Sequence, residues 1–205
     1  DKGPGPELEL AQLSRRLWPE ILTNAAGASG AGMRTEYPEY AEWEPKGGIV
    51  VATTEAGAEA LLGFAAAQRA AGVTAEALDA AALRAAEPFV TDRHTAAVHY
   101  PEDAQVQPAG AATVLLGEAL AAGAVLRTRC EAVGAVVSGG RLRAVRCSGA
   151  GSLGERIEAD AFVNCAGPWA GQLAARLGTP LTVRPRRGEI LVTTPLPPTV
   201  FHKVY

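Results

Sequence analysis

The stretch ADAFVNCAGPWAGQLAARLGTPLTVRPRRGEIL, residues 159–191, decides the fold of this chain. Ala161, Phe162, Val163 and Asn164 form a short strand-like run, and Cys165, Ala166 and Gly167 are small residues where the chain has to turn. A backbone without bulky side chains is one that a ligand can approach closely. Pro168 supplies a fixed φ suited to a first helical turn. Trp169, Leu173 and Leu177 then recur at helical spacing until Gly178 and Pro180 stop the helix. A second strand is expected to begin near Pro185. The unit reads as strand, turn, helix, strand, an ordinary crossover in many α/β proteins.

A second block lies upstream, Tyr100-Pro101-Glu102-Asp103-Ala104-Gln105-Val106-Gln107-Pro108. The two blocks in this order, covering about residues 47 to 205 with their connections, resemble the FAD-dependent amine and D-amino-acid oxidase superfamily, which includes glycine oxidase, sarcosine oxidase and D-amino-acid dehydrogenase. Its members carry a strand ending in Ala-Ala-Gly, a nearby Trp, a short helix and a Pro-x-(Lys/Arg)-Gly-(Glu/Gln) strand entry. The matching residues here are Cys165-Ala166-Gly167, Trp169 and Pro185-Arg186-Arg187-Gly188-Glu189. Cys165 departs from the usual alanine. In the upstream block Ala104 and Gln107 replace a glycine and an aspartate of the family pattern Pro-Glu-Asp-Gly-x-Val-Asp-Pro.

Dinucleotide folds hold a pyrophosphate at a helix N-terminus that follows a strand and a Gly-x-Gly-x-x-Gly turn. The one literal match is Gly149, Gly151 and Gly154. It is followed by Glu155-Arg156-Ile157-Glu158-Ala159-Asp160, which alternates like a strand and offers no helix. That run reads as a hairpin loop. The glycines from Gly27 to Gly32 follow a helix instead of a strand and read as a flexible connection. Set beside the family, the chain is expected to be a middle portion. It would lack the N-terminal strand-loop-helix and the C-terminal segment that closes over the flavin, so the complete protein would be the enzyme and this stretch alone inactive.

Composition narrows the function classes. A hydrophobic fraction of 48% over 205 residues is enough for a core, although 42 alanines inflate it. The net charge of −3, from 19 basic and 22 acidic residues, shows no basic stripe and argues against a nucleic-acid partner. No apolar run approaches the ~20 residues that span a bilayer, and no signal peptide is visible, so a cytoplasmic location is expected. Cys130, Cys147 and Cys165 are odd in number and widely spaced; buried free thiols are expected, with neither a disulfide framework nor a zinc site. His94, His99 and His202 have no metal-ligand spacing, and no metal is expected.

The periodicity predicts a helix over 8–22 with Leu10, Leu13, Leu17 and Ile21 on its apolar face. A strand over 47–53, a helix over 55–71 and a helix from Thr74 to near Pro88 follow. Then come a strand over 96–100, a helix over 108–122 and a strand-like run over 125–128. A hairpin over 133–147 turns at Ser138-Gly139-Gly140 and is extended into a meander by 155–160; Phe201 to Val204 is a final strand. The fold class is therefore α/β, mixed α+β: part of a Rossmann-like FAD-binding domain with a β-meander, interwoven with a mixed-sheet substrate domain. The resemblance assigns 33–108 and 179–205 to the substrate domain and 109–178 to the middle of the FAD-binding domain. Residues 1–32 are a helical connection.

The resemblance also implies site residues. Ala132 and Val133 would face the adenine; Cys165, Ala166, Gly167 and Trp169 would lie along the cofactor, with Ala166 and Gly167 near its ribose and pyrophosphate. Arg186 and Arg187 would flank the flavin side, with Arg187 and Gly188 among the cofactor contacts, and Tyr205 would face the substrate. The implied cofactor is FAD, and the implied reaction is oxidation of the C–N bond of a small amino acid or N-methylated amine by hydride transfer to flavin. Two alternatives share the fold: a flavoprotein oxidising the C–O bond of a 2-hydroxyacid or glycerol-phosphate, and a non-catalytic subunit. A partner subunit is possible in either case.

Overall fold

The computed structural model describes residues 2–27, 40–149 and 152–205. The glycine run from Ala28 to Gly32 lies outside them. The chain divides into two compact units, residues 1–124 with 194–205, and residues 125–193. The described residues form a mixed α/β structure with two sheets.

The first unit is built on a four-stranded sheet in the order β2-β3-β1-β7. Its strands are β1 (Gly48–Ala52), β2 (Glu76–Leu78), β3 (Ala96–Tyr100) and β7 (Lys203–Val204). β1 pairs antiparallel with β3 and parallel with β7, which makes the sheet mixed. Alternation sends Val50, Val98 and Tyr100 to one face, against Leu61 and Ala65 of helix α2 (Glu55–Ala70). Ile49 and Ala97 go to the other face, against Leu83 of helix α3 (Ala80–Ala86). The sheet is thus covered on both sides, which explains why β1 and β3 are nearly all apolar.

Two expectations are corrected here. The predicted helix from Thr74 begins instead at Ala80, because Asp79 caps it by accepting from Ala82 N at 2.8 Å, and Glu76–Leu78 is freed to pair with β3 as β2. Helix α1 (Pro6–Gly27) forms, but Leu10, Leu13 and Leu17 are exposed. Its packed face carries Trp18 and Leu22, which meet Ala41, Trp43 and Val114. Val114 belongs to helix α4 (Pro108–Ala121), so this helix packs into the first unit.

The second unit carries an antiparallel meander of β4 (Cys130–Ser138), β5 (Arg141–Gly149) and β6 (Ser152–Glu158). Gly149 pairs with Ser152 and Gly154 takes a φ of 88° inside β6, so the Gly-x-Gly-x-x-Gly match spans a hairpin, with Gly151 outside the described residues. A 3₁₀ turn (Gly167–Trp169) then leads into helix α5 (Ala170–Arg176). Gly178, at φ 81°, closes α5: Gly178 N donates to Ala175 O and Thr179 N to Ala174 O.

Three strand-like runs are not strands: 125–128, 161–164 and 185–191 all lie outside the ladders. Val125 is 80% exposed and Leu191 95%. Their apolar sequences suit a sheet, but a strand exists only where another strand supplies its hydrogen bonds, and none pairs with them among the described residues. No helix among the described residues is long and apolar enough to cross a membrane.

Candidate functional site

The second unit contains a cleft of about 260 Å³ lined by Glu131, Ala132, Ala166, Trp169, Gln172, Leu173 and Arg176. It forms where β4 begins and where the turn enters α5. The turn is shaped by Asn164, whose Nδ2 donates to Ala170 O at 3.0 Å while its Oδ1 accepts from Ala166 N at 3.2 Å. Arg176 donates to Glu131 and so ties α5 to β4 across the cleft. Ala132, Ala166 and Trp169, three of the residues assigned to the cofactor from sequence, are therefore brought together.

The others stand apart. Val133 and Cys165 do not line the cleft, and Cys165 is exposed where a buried thiol was expected. Gly167 opens the 3₁₀ turn at φ 53°, with no atom within 4 Å of where a Cβ would sit. Arg187 is exposed and pairs with Glu189 at 3.0 Å; Gly188 has open space around it. Asn164, Glu131 and Arg176 are the residues sequence reasoning missed. Asn164 stands two positions before the turn, a spacing at which Asn hydrogen-bonds its own backbone, and that was the available signal.

The residues present fit the nucleotide end of a dinucleotide. Two methyl-sized side chains and an exposed indole give a shallow apolar floor for a flat ring. The unobstructed left-handed turn at Gly167 leaves its backbone open to close approach. Cys147, which pairs with Ala132 across the ladder, has its thiol pKa pushed up by burial and by the neighbouring Cys130 thiol, so it stays neutral there.

The first unit contains its own cleft, of about 320 Å³, lined among others by Arg15, Trp43, Glu102, Asp103, Lys203 and Tyr205. The upstream block builds one wall. Asp103 N donates to Tyr100 O at 3.1 Å, Gly47 N donates to Asp103 O at 2.9 Å, and Gln107 caps α4 by accepting from Gly110 N. Gln107 thus performs the capping for which the family's aspartate is suited. A side chain at position 48 would run into Asp103, since a Cβ there would lie 2.7 Å from its Oδ2, and glycine keeps the space clear.

β7 builds the other wall. Tyr205 N donates to Ile49 O at 3.0 Å and Val51 N donates to Tyr205 O at 2.9 Å, which fixes the tyrosine against β1. Lys203 Nζ lies 3.1 Å from Asp103 Oδ2 and 5.7 Å from the centre of the Tyr205 ring. Burial works against the charge of Lys203, but Asp103 and Tyr205 outweigh it and hold its pKa above the ordinary lysine value. The start of β7 is anchored by Glu87, a buried carboxylate that accepts from Phe201 N at 2.8 Å and from His202 Nδ1 at 2.9 Å.

Over 131 residues the chain is 30% identical to the anaerobic glycerol-3-phosphate dehydrogenase subunit A1 of Haloferax volcanii, covering 59% of this chain and 22% of that protein. It is 31% identical over 121 residues to the hydrogen cyanide synthase subunit HcnC of Pseudomonas protegens, covering 58% of this chain and 28% of that protein. The crystal structure of glycine oxidase from Geobacillus kaustophilus superposes with a TM-score of 0.78 at 24% identity, over 100% of this chain and 52% of that one. The chain thus spans under a third of the curated relatives and about half of the solved structure. The model of the FAD dependent oxidoreductases (DAO) matches residues 2–204, and the chain belongs to that family.

Proposed function

We propose that the protein carrying this chain oxidises the C–N bond of a small amino acid or N-methylated amine, with the nucleotide end of FAD against the Ala132–Ala166–Trp169 cleft. One observation carries the reading: the Pro-Glu-Asp turn, which resembles that of amine oxidases, and the strand that ends at Tyr205 line a single cleft of the first unit. Asp103 from the Pro-Glu-Asp turn holds Lys203, and Lys203 stands over the ring of Tyr205. FAD, when bound, supplies the two-electron acceptor. The chain's task is orientation. The Tyr205 hydroxyl donates to a substrate carboxylate, and the Lys203 ammonium adds a positive field whose position Asp103 fixes. Val133, Cys165, Gly167, Arg187 and Gly188 complete the cofactor contacts in this reading.

A second reading has its own support. The Haloferax volcanii relative is named for glycerol 3-phosphate, so oxidation of a C–O bond is the direct competitor. Both curated relatives are named as subunits, which supports a partner subunit for this protein as well.

The test is anaerobic bleaching of bound flavin by glycine, sarcosine, D-alanine, D- and L-proline, lactate, 2-hydroxyglutarate and glycerol 3-phosphate. The amine reading predicts bleaching by members of the first five; bleaching by hydroxy compounds alone overturns it. Tyr205→Phe removes one hydrogen bond to a charged group, worth ~1.5–3 kcal/mol. It should therefore raise KM at least tenfold while leaving flavin content intact. Unchanged kinetics would take Tyr205 out of the site.

A further inference from the structure

The meander holds two of the chain's three cysteines in a relation the cofactor reading does not use. Cys130 opens β4 and pairs in register with Gly149; Cys147 lies two residues earlier on β5 and pairs with Ala132. The two cysteines are diagonal neighbours on one face of an antiparallel ladder. Each stands opposite a residue with little or no side chain, so neither sulfur is screened from the other. Burial first, and the neighbouring Cys130 thiol second, push the Cys147 thiol pKa up. A cleft of about 290 Å³, lined by Arg127, Thr128, Cys130, Cys147, Ser148 and Glu155 among others, reaches both. Cys147 is buried and Cys130 is half-buried, which makes Cys130 the sulfur that a solute meets first. Arg127, paired with Glu155, brings a guanidinium to the same cleft. Cys165 is the exposed cysteine and has no such neighbour on the ladder.

We propose that Cys130 and Cys147 form a peroxide-oxidisable dithiol, a modification site that closes to an intrachain disulfide. The Cys130 thiolate attacks hydrogen peroxide, gaining an S–O bond as the O–O bond breaks; the departing hydroxide takes up a proton and leaves as water. The Cys147 sulfur then attacks the Cys130 sulfenic acid, the S–O bond breaks, and a second water leaves. The two thiols lose two electrons and two protons, and one peroxide becomes two waters. Cys130 is the attacking thiol because it is the accessible one; Cys147 is the resolving thiol because its burial keeps it protonated until its partner is oxidised.

The experiment treats the folded protein with graded hydrogen peroxide, blocks the remaining thiols with iodoacetamide and maps tryptic peptides without reduction. Cleavage after Arg129, Arg141, Arg146 and Arg156 places the two cysteines on separate peptides, 130–141 and 147–156. The proposal predicts a linked pair of these peptides, 2 Da lighter than their sum and released by dithiothreitol, as the dominant product at low peroxide. Cys165→Ser should leave the linked pair unchanged, and Cys130→Ser should leave Cys147 free to react with iodoacetamide once the chain is unfolded. Peroxide consumed at Cys165 while Cys130 and Cys147 both remain alkylatable would overturn it. So would separate sulfinic acids on Cys130 and Cys147 without the linked peptide.

Discussion

The sheet of the first unit and the run from Ala159 to Leu191 in the second carry similar apolar sequences with opposite outcomes. GIVVA at 48–52 lies between β3 and β7 with helices on both faces, and Ile49 is fully buried. EILV at 189–192 is as apolar, yet Ile190, Leu191 and Val192 are among the most exposed residues of the chain. Composition is not what separates them. β1 has two partner strands and two helices to cover it, whereas 189–192 has no ladder among the described residues. An apolar run specifies a strand only together with the neighbours that pair with it and cover it.

Substitutions sharpen this contrast, and the largest effect belongs to the covered sheet. Leu83→Ala, at a fully buried contact between α3 and the sheet, should cost about 2–5 kcal/mol, measured as a lowered urea midpoint. Tyr100→Phe is smaller. Its hydroxyl donates to Gln68 Oε1 at 2.8 Å inside the α2 face, and loss of that bond should cost about 1–3 kcal/mol because the buried Oε1 is left without a donor, while Gln68 Nε2 keeps its bond to Lys2 O. Burial first, and the Asp103 charge second, raise the Tyr100 pKa above the ordinary tyrosine value. The folded state therefore keeps its proton where the unfolded state loses it. This stabilisation is whole below about pH 10 and is lost as the pH rises through the folded value. Tyr100→Phe should flatten that alkaline decline. Ile190→Ala is the smallest, within about 0.5 kcal/mol for this chain. A loss of several kcal/mol there would break the comparison, since it would mean the segment is packed.

The elements that were legible in the sequence are those with local signals. β1, β3, α2 and α4 follow from alternation or helical spacing between clear stop residues, and the meander follows from the Gly139-Gly140 turn. The helix from Thr74 was misread because Asp79, which starts α3, was not recognised as the cap. The apolar face of α1 was misread for a different reason. Leucine spacing marks a stripe but not what the stripe meets, and Trp18 and Leu22 make the contacts instead. At the candidate site, Ala166 and Trp169 are nameable from a family block and Ala132 from its place after the strand-like run 125–128 in the same resemblance. Glu131, Arg176, Asp103 and Lys203 are not, because ion pairs between residues 45 and 100 positions apart leave no local pattern.

In the proposed function the turn at Gly167, beside the Ala132–Ala166–Trp169 cleft, holds the cofactor. The flavin-to-protein ratio of purified Gly167→Val tests it most directly, because a β-branched side chain is disfavoured at φ 53° and fills space that is otherwise open. In the protein carrying this chain the ratio should fall from near one to near zero while circular dichroism and the urea midpoint show a folded chain. Gly167→Ala should retain part of the flavin. A folded Gly167→Val protein with full flavin content would contradict the account and leave the turn as a crossover between β6 and α5.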